Sequence, residues 1–305
     1  MDVDCVEGVL LGLACGDALG RPVEFNSRHE IESTHGTVTE MRGHGTWNQP
    51  AGTITDDTDQ ALCIARSVVE HGAFDPADTA QRFVEWYDTD PFDIGSMTRQ
   101  SIRNLKRGQS WEEAGHEVWE ASPEGANAGN GSIMRCPPLA IAYARAPDDL
   151  VTTSRDSSRI THADPRCTYG CAVLNLTIAG YLTGAGDPLA DALKRVRTDA
   201  PTKLIGALEP LASGATPEPL ETTGYVIHTL QTAMHDALTA DTAEDAIITA
   251  VNRGGDTDTV GAVTGAIAGA RFGASALPDR WTAEIDETDD LCRLAADLAD
   301  IGGIQ

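Results

Sequence analysis

Aromatic residues make up only 5% of this 305-residue chain, and 22 Lys plus Arg face 47 Asp plus Glu. Alternating apolar and polar runs, the mark of half-buried strands, are nearly missing. Each shortage excludes something. With so few aromatics, a hydrophobic content of 41% means that Ala, Val, Leu and Ile fill the core. That core suffices for one large domain or two ordinary ones. A formal charge of −25 argues against nucleic acid and anionic lipid as partners. Acids spread along every segment, with few Lys, have the sign pattern of a protein working in high salt; a merely acidic surface is the alternative. No apolar run approaches 18 residues, so no membrane span is expected. Asp2, Asp4 and Glu7 break up the start, so no signal peptide is expected and the chain reads as cytoplasmic. The 7 cysteines form no CxxC pair and no Cys/His zinc spacing, and their odd number argues against a disulfide framework. Cys167 and Cys171, one helical turn apart, read as core.

What is present is helical periodicity. Val6, Val9, Leu10, Leu13 and Ala14 share one helical face, as do Ala61, Leu62, Ala65, Val68 and Val69. Gly72 reads as a C-cap, Pro76 and Pro188 as first-turn prolines, and Ser110 with Glu113 as a capping box. Further helices are expected near 95–107, 133–145, 166–183, 188–198, 222–239, 243–252, 257–271 and 287–300. Only Thr37–Met41 reads weakly as a strand. The fold class is all-α. No linker divides the chain, and the 212–221 stretch is too short to separate domains, so a single domain over 1–305 is expected. Gly261, Ala262, Gly265, Ala266, Gly269 and Ala270 make the last long helix unusually rich in small residues. Each glycine costs a helix roughly 1 kcal/mol, which points to very close helix contact at the centre of a bundle.

Two aspartate clusters carry the chemistry: Thr55-Asp56-Asp57-Thr58-Asp59 and Asp256-Thr257-Asp258-Thr259. Both follow glycine and run directly into an apolar helical pattern. Either alone could be an acidic helix cap. Together, with only Arg253 nearby to neutralise them, they point to bound cations, because crowded carboxylates repel unless something positive lies between them. Asp256 and Thr259 stand at i and i+3 and face one point, and Asp258 joins them from the turn. Thr55, Asp56, Asp57, Asp256, Asp258 and Thr259 thus offer oxygen ligands suited to two Mg²⁺ or Mn²⁺ ions. Two such ions clamp a reacting oxygen and acidify a bound water, which suits phosphoester or glycoside hydrolysis. Glu24 lies on a loop near the end of the glycine-containing stretch Gly16–Phe25 and by itself reads as one more surface acid. Gly129-Asn130-Gly131-Ser132-Ile133-Met134 reads as a glycine-rich turn opening a helix and presenting backbone N–H groups to an anion. His162 precedes a helix started by Pro165 and, as a lone histidine, suits a structural role as well as a binding one.

Five ordered segments then resemble the ADP-ribosylglycohydrolases: GDALGRPVEF, WNQPAGTITDDT, GNGSIMRCPPLA, SRITHADP and NRGGDTDTVGAVTGAIAGA. The resemblance implies a compact, orthogonal multi-helix bundle with a binuclear Mg²⁺ or Mn²⁺ centre at the base of an ADP-ribose cleft. It implies that Thr55, Asp56 and Asp57 bind metal from one side and Asp256, Asp258 and Thr259 from the other. Glu24 matches an acid that closes over the metals and takes part in the reaction in some branches; with Asp57 it is the expected catalytic pair, and it leans the substrate toward O-linked ADP-ribose. Gly129 to Met134 would hold the diphosphate and distal ribose, Ser132 through its hydroxyl, and His162 would contact the ribose or phosphate. Ile133 departs from the small residue common in relatives. The stretch from Phe25 to Trp47, which matches least, is expected to form a lid. The expected reaction is hydrolysis at the anomeric carbon of ADP-ribose attached to a protein side chain, by a monomer. The alternatives are free ADP-ribose esters or phosphates as substrate, a non-catalytic crystallin-like relative, and a pure ADP-ribose-binding module.

Overall fold

The computed structural model describes residues 2–303, and among them sixteen α-helices and no β-sheet. In chain order they are α1 (Val3–Gly20), α2 (Arg28–His35), α3 (Asp56–His71), α4 (Pro76–Tyr87), α5 (Ser96–Lys106), α6 (Trp111–Ala121), α7 (Pro138–Ala142) and α8 (Pro147–Arg159). There follow α9 (Pro165–Thr183), α10 (Pro188–Val196), α11 (Thr202–Ala212), α12 (Val226–Thr239), α13 (Ala243–Val251), α14 (Thr257–Phe272), α15 (Asp279–Thr282) and α16 (Thr288–Ile301). Local chemistry sets many of the ends. Pro76, Pro165 and Pro188 each begin a helix, Ser110 and Glu113 form the expected capping box, and Gly72 closes α3 in the left-handed conformation.

The centre is an antiparallel pair, α1 against α14. Gly8, Gly12, Gly16 and Gly20 of α1 oppose Gly269, Gly265, Gly261 and Thr257 of α14, four residues apart in each step. A Cβ built on Gly12 would stand 2.1 Å from the carbonyl oxygen of Gly265, so the two backbones touch where a side chain would otherwise be. The close approach expected from the small residues of α14 is therefore real, and α1 supplies the matching face. Both helices are buried almost all round, as is α9, which packs on α14 between α8 and α10. The seven cysteines are all free, and Cys167 and Cys171 lie in the core. No helix among the described residues is long and apolar enough to cross a membrane.

Three expectations need correction. Thr37–Met41 is not a strand, because the Asn252 side chain supplies what a neighbouring strand would. Its Oδ1 accepts from the Val38 N–H at 2.8 Å, and its Nδ2 donates to the Val38 carbonyl at 2.9 Å. The helix expected over 133–145 shrinks to Pro138–Ala142, since consecutive prolines at 137 and 138 push the preceding residues out of helical geometry. Gly129–Met134 therefore forms turns and does not open a helix. The helix expected over 222–239 begins only at Val226.

Candidate active site

The two aspartate clusters, remote in sequence, meet at the N-termini of α3 and α14. The Thr259 hydroxyl donates to Asp57 Oδ1 at 3.4 Å, directly joining the two. The α1–α14 contact fixes this arrangement, for Thr257 at the start of α14 donates its hydroxyl to the Gly20 carbonyl at 2.8 Å. Asp56, Asp57, Asp258 and Thr259 are buried and line one cleft of about 510 Å³, together with Glu24, Asp93 and Asp256. That makes six carboxylates on one cleft wall with no Lys or Arg among its lining residues. Arg253, the cation nearest in sequence, is spent on Asp236, with Nε to Oδ2 at 2.6 Å.

Burial raises Asp56, Asp57 and Asp258 well above the usual carboxylate range, and the neighbouring acids push the same way. Glu24 is pushed up to about 8 by burial first and Asp93 second; Asp93 is pushed to about 7 by burial, then by Asp17 and Asp256. Asp57 Oδ2 is buried with no hydrogen-bond partner. An orphaned carboxylate oxygen among repelling acids, with hydroxyls alongside, is the donor set of a hard divalent cation. Glu24, Asp93 and Asp258 can bring one oxygen each within 4.8 Å of one another.

Not every expected residue faces the cleft. Thr55 is buried as the N-cap of α3, its hydroxyl accepting from the Asp57 N–H at 3.3 Å. Gly129, Asn130, Gly131, Met134 and His162 line the cleft, whereas Ser132 and Ile133 lie behind it. The Ser132 hydroxyl is engaged with Ser158 at 2.9 Å. Asn130 bridges the turn to the acids, donating to Asp256 Oδ2 at 2.7 Å and to the Thr229 hydroxyl at 3.0 Å. Gly131 wraps His162 so closely that a Cβ there would stand 2.8 Å from the imidazole Cε1.

A chain of hydrogen bonds runs behind the cleft from acids to imidazole. Asp56 Oδ2 accepts from Gln60 Nε2 at 3.2 Å, and Gln60 Oε1 accepts from Arg135 Nη1 at 2.5 Å. Arg135 Nη2 donates to the Thr161 hydroxyl at 2.6 Å, which lies 2.7 Å from His162 Nδ1. Burial, followed by the Arg135 charge, lowers His162 to about 3, so the ring is neutral, with Nδ1 against the Thr161 hydroxyl and Nε2 facing Gly129 and Gly131.

Four contributors escaped the sequence reading. Asp93 lies on the loop before α5; it closes the run Asp88-Thr89-Asp90-Pro91-Phe92-Asp93, which was passed over because it follows no glycine and opens no apolar helical pattern. Trp47 Nε1 donates to Glu24 Oε2 at 2.5 Å and so orients that carboxylate across 23 positions of chain. Asp17, fully buried in α1, accepts from the Thr55 N–H at 3.0 Å and from the Thr58 N–H at 3.2 Å, aligning the start of α3. Arg21 donates to the carbonyls of Thr53 at 2.9 Å and Pro50 at 2.7 Å and to those of His44 and Arg42 at 3.2 Å, pinning the loop that carries Trp47. Asp17 and Arg21 did lie within a segment singled out for Glu24, and a buried charge at a helix end was their only signal.

An all-α bundle in which two helix N-termini bring four aspartates into one cleft, joined there by Glu24 and Asp93, defines an acidic site suited to divalent cations. Residues 2–303 match the family model described as ADP-ribosylglycohydrolase. The chain is 34% identical over 286 residues to the ADP-ribosyl-[dinitrogen reductase] glycohydrolase of Rhodospirillum rubrum, covering 92% of this chain and 89% of that protein. It is 32% identical over 304 residues to the ADP-ribosylarginine hydrolase Tri1 of Serratia proteamaculans, covering 97% and 79%. A solved structure described as an ADP-ribosylglycohydrolase-related protein complex superimposes with a TM-score of 0.82 at 35% identity, over 98% of each chain. The chain belongs to the ADP-ribosylglycohydrolase family and is an enzyme of that hydrolase class.

Proposed function

We propose that the protein hydrolyses the bond at the anomeric carbon of ADP-ribose attached to a protein side chain, with two divalent cations, Mg²⁺ or Mn²⁺, in the cleft. The observation that carries this reading is the meeting of the two aspartate clusters through Thr259 and Asp57, with one Asp57 oxygen left unpartnered. Asp56, Asp57, Asp256, Asp258 and Thr259 are the residues that would hold the cations, with Thr55 capping the helix beneath them. When bound, such cations would neutralise the acids and lower the pKa of a water.

The remaining work falls to the chain itself. Glu24, held by the Trp47 indole, stands at the cleft mouth beside Asp93. Two carboxyls this close share one proton more readily than both ionise. The ionised partner accepts the proton of the attacking water, and the protonated one donates to the departing atom of the acceptor. Asp57 lies deeper and serves the cation site, so Glu24 is the better placed of the two expected catalytic acids. His162 offers Nε2, and the turn at Gly129–Gly131 offers its backbone, to the diphosphate or ribose. A non-catalytic relative has no use for six filled carboxylate positions, and a binding module has no use for the proton-sharing pair.

The test is release of ADP-ribose from arginine-linked and serine-linked ADP-ribosylated peptides, with Mg²⁺, with Mn²⁺ and with EDTA. Metal-dependent release is expected, falling at least a thousandfold in Asp56→Asn and Asp258→Asn. Full activity in either variant would sink the two-cation site. No release from either peptide, with cation still bound, would move the substrate to a small ADP-ribose ester or phosphate.

A further inference from the structure

Beside the carboxylates stands a surface that the reaction chemistry does not use. Among the described residues the exposed large hydrophobic side chains are Val3, Phe25 and Phe92, and the last two flank this cleft, 67% and 36% exposed. Trp47 lies between them, its ring centroid 6.3 Å from Phe25 and 5.9 Å from Phe92, in edge-on and tilted arrangements. In a chain so poor in aromatics, three rings at one cleft mouth are conspicuous. The backbone is also bent to put them there. Among the described residues the non-glycine ones with left-handed φ are Phe25 (65°), His44 (67°), Asn48 (52°) and Asp90 (59°). Each is a rim residue or lies within three positions of one. For Phe25 this conformation is unfavourable, since a bulky side chain rarely adopts it. It is enforced by the Phe25 N–H donating to the Gly255 carbonyl at 2.7 Å and by the Thr46 hydroxyl donating to the Glu24 carbonyl at 2.7 Å. Strain spent on holding an exposed ring in place, where burial gains nothing, points to a ligand.

We propose that Phe25, Trp47 and Phe92 form an acceptor-side docking surface that grips the guanidinium of the modified side chain and so favours arginine-linked over serine-linked ADP-ribose. The inference rests on the hydrolase reading above. Position decides the occupant: Phe25 and Trp47 line the cleft with Glu24 and Asp93, and Phe92, beside Asp93 in the chain, packs on Trp47, so the rings stand next to the pair assigned to the departing group. What lies there is whatever is bonded to the anomeric carbon. The adenine, at the far end of ADP-ribose, does not reach it, and the anionic diphosphate is repelled by Glu24 and Asp93. A planar cation satisfies both features at once, its face on the rings and its N–H groups on the carboxylates. A serine linkage offers neither charge nor plane. The lean toward O-linked substrates implied by Glu24 is thus overruled by what surrounds Glu24.

The test measures kcat/KM on matched arginine-linked and serine-linked ADP-ribosylated peptides for the wild type, Phe25→Leu, Phe92→Leu and Phe25→Tyr, with isothermal titration of free ADP-ribose. Trp47 is left alone because it orients Glu24. The wild type is expected to prefer the arginine-linked peptide. Each leucine variant is expected to lower the arginine-to-serine ratio about fivefold, mainly through KM, in keeping with loss of one cation–π contact. Phe25→Tyr should restore the ratio, and ADP-ribose affinity should move less than twofold. An active wild type whose ratio is unchanged in both leucine variants, or whose ADP-ribose affinity falls in parallel, overturns the docking surface alone. A wild type that prefers the serine-linked peptide also overturns it. A wild type that releases ADP-ribose from neither peptide overturns the parent reading and this inference with it.

Discussion

At the scale of single residues, the site is held together against its own electrostatics. Asp57 is buried among Asp17, Asp56 and Asp256, and burial plus their charges raises its proton affinity. Without cations the fold therefore carries a penalty at neutral pH. A carboxyl raised in the folded state contributes stability that is present below its unfolded pKa of about 4 and is lost as pH rises. Asp57→Asn keeps an oxygen to accept from Thr259 while removing the charge. In EDTA at pH 7 the variant should melt a few degrees above the wild type, since about 1 kcal/mol moves a midpoint by roughly 2 °C in a chain of this size. The advantage should shrink toward pH 4. Added Mg²⁺ or Mn²⁺ should raise the wild-type midpoint and leave the variant nearly unmoved. A variant less stable than wild type in EDTA would mean that Asp57 is satisfied without a cation. The two clusters themselves were legible because crowded acids ahead of a helix demand explanation. Asp93, Trp47 and Arg21 were not, because each acts through a partner far along the chain, and nothing local distinguishes Asp93 from Asp88 and Asp90 beside it.

At the scale of elements, the helices that carry the site were readable and several that support it were not. The long apolar patterns of α1, α3, α9 and α14 repeat with helical period and are capped by recognisable residues, so their positions follow from local chemistry. α8 is polar on most faces and is held by its packing on α9, whereas the Ser27–Glu30 capping box of α2 and the apolar face of α11 at Leu204, Ile205, Leu208 and Leu211 were local signals that went unread. The small residues of α14 were a legible sign of close packing, but the partner was not, because nothing local links α1 to a helix so far along the chain. This contact yields a prediction with a built-in control. Ala is a better helix former than Gly by about 1 kcal/mol, so propensity alone favours replacement. At Gly206, exposed on α11 with no atom within 4 Å of a built Cβ, Gly206→Ala should stabilise by up to about that amount. At Gly12 the new methyl would meet the Gly265 carbonyl, and both backbones are fixed inside regular helices. Overpacking of that kind costs about 3 kcal/mol and outweighs the propensity gain. Gly12→Ala should therefore lower the midpoint in thermal unfolding and reduce cation binding with it, because α1 and α14 position Gly20 and Thr257–Thr259. Equal, mildly stabilising effects at both sites would show that the helix pair yields easily.

At the scale of the whole molecule, the charge of −25 sets how the protein responds to salt. Two effects oppose. Salt screens the mutual repulsion of the surplus acids, which favours the compact state, and it also weakens surface ion pairs such as Arg66–Asp290 and Arg280–Glu40. Exposed pairs are worth only about 0–1 kcal/mol each, and the basic residues available for them are fewer than half the acids. The surplus has no partner at all. Repulsion accumulated over the surface therefore outweighs the pairs, and most of its relief should come between 0.1 M and 1 M salt, where the screening length shrinks from about 10 Å to about 3 Å. The midpoint measured in EDTA should rise steadily with KCl over that range. The Asp57→Asn advantage should persist at high KCl, because the buried cluster is shielded from mobile ions while the surface is not. A flat or falling midpoint would mean that the ion pairs hold the surface together despite the sign imbalance. A rise that vanishes in Asp57→Asn would trace the salt response to K⁺ entering the active-site cleft, and the surface acids would then be ordinary solvated groups.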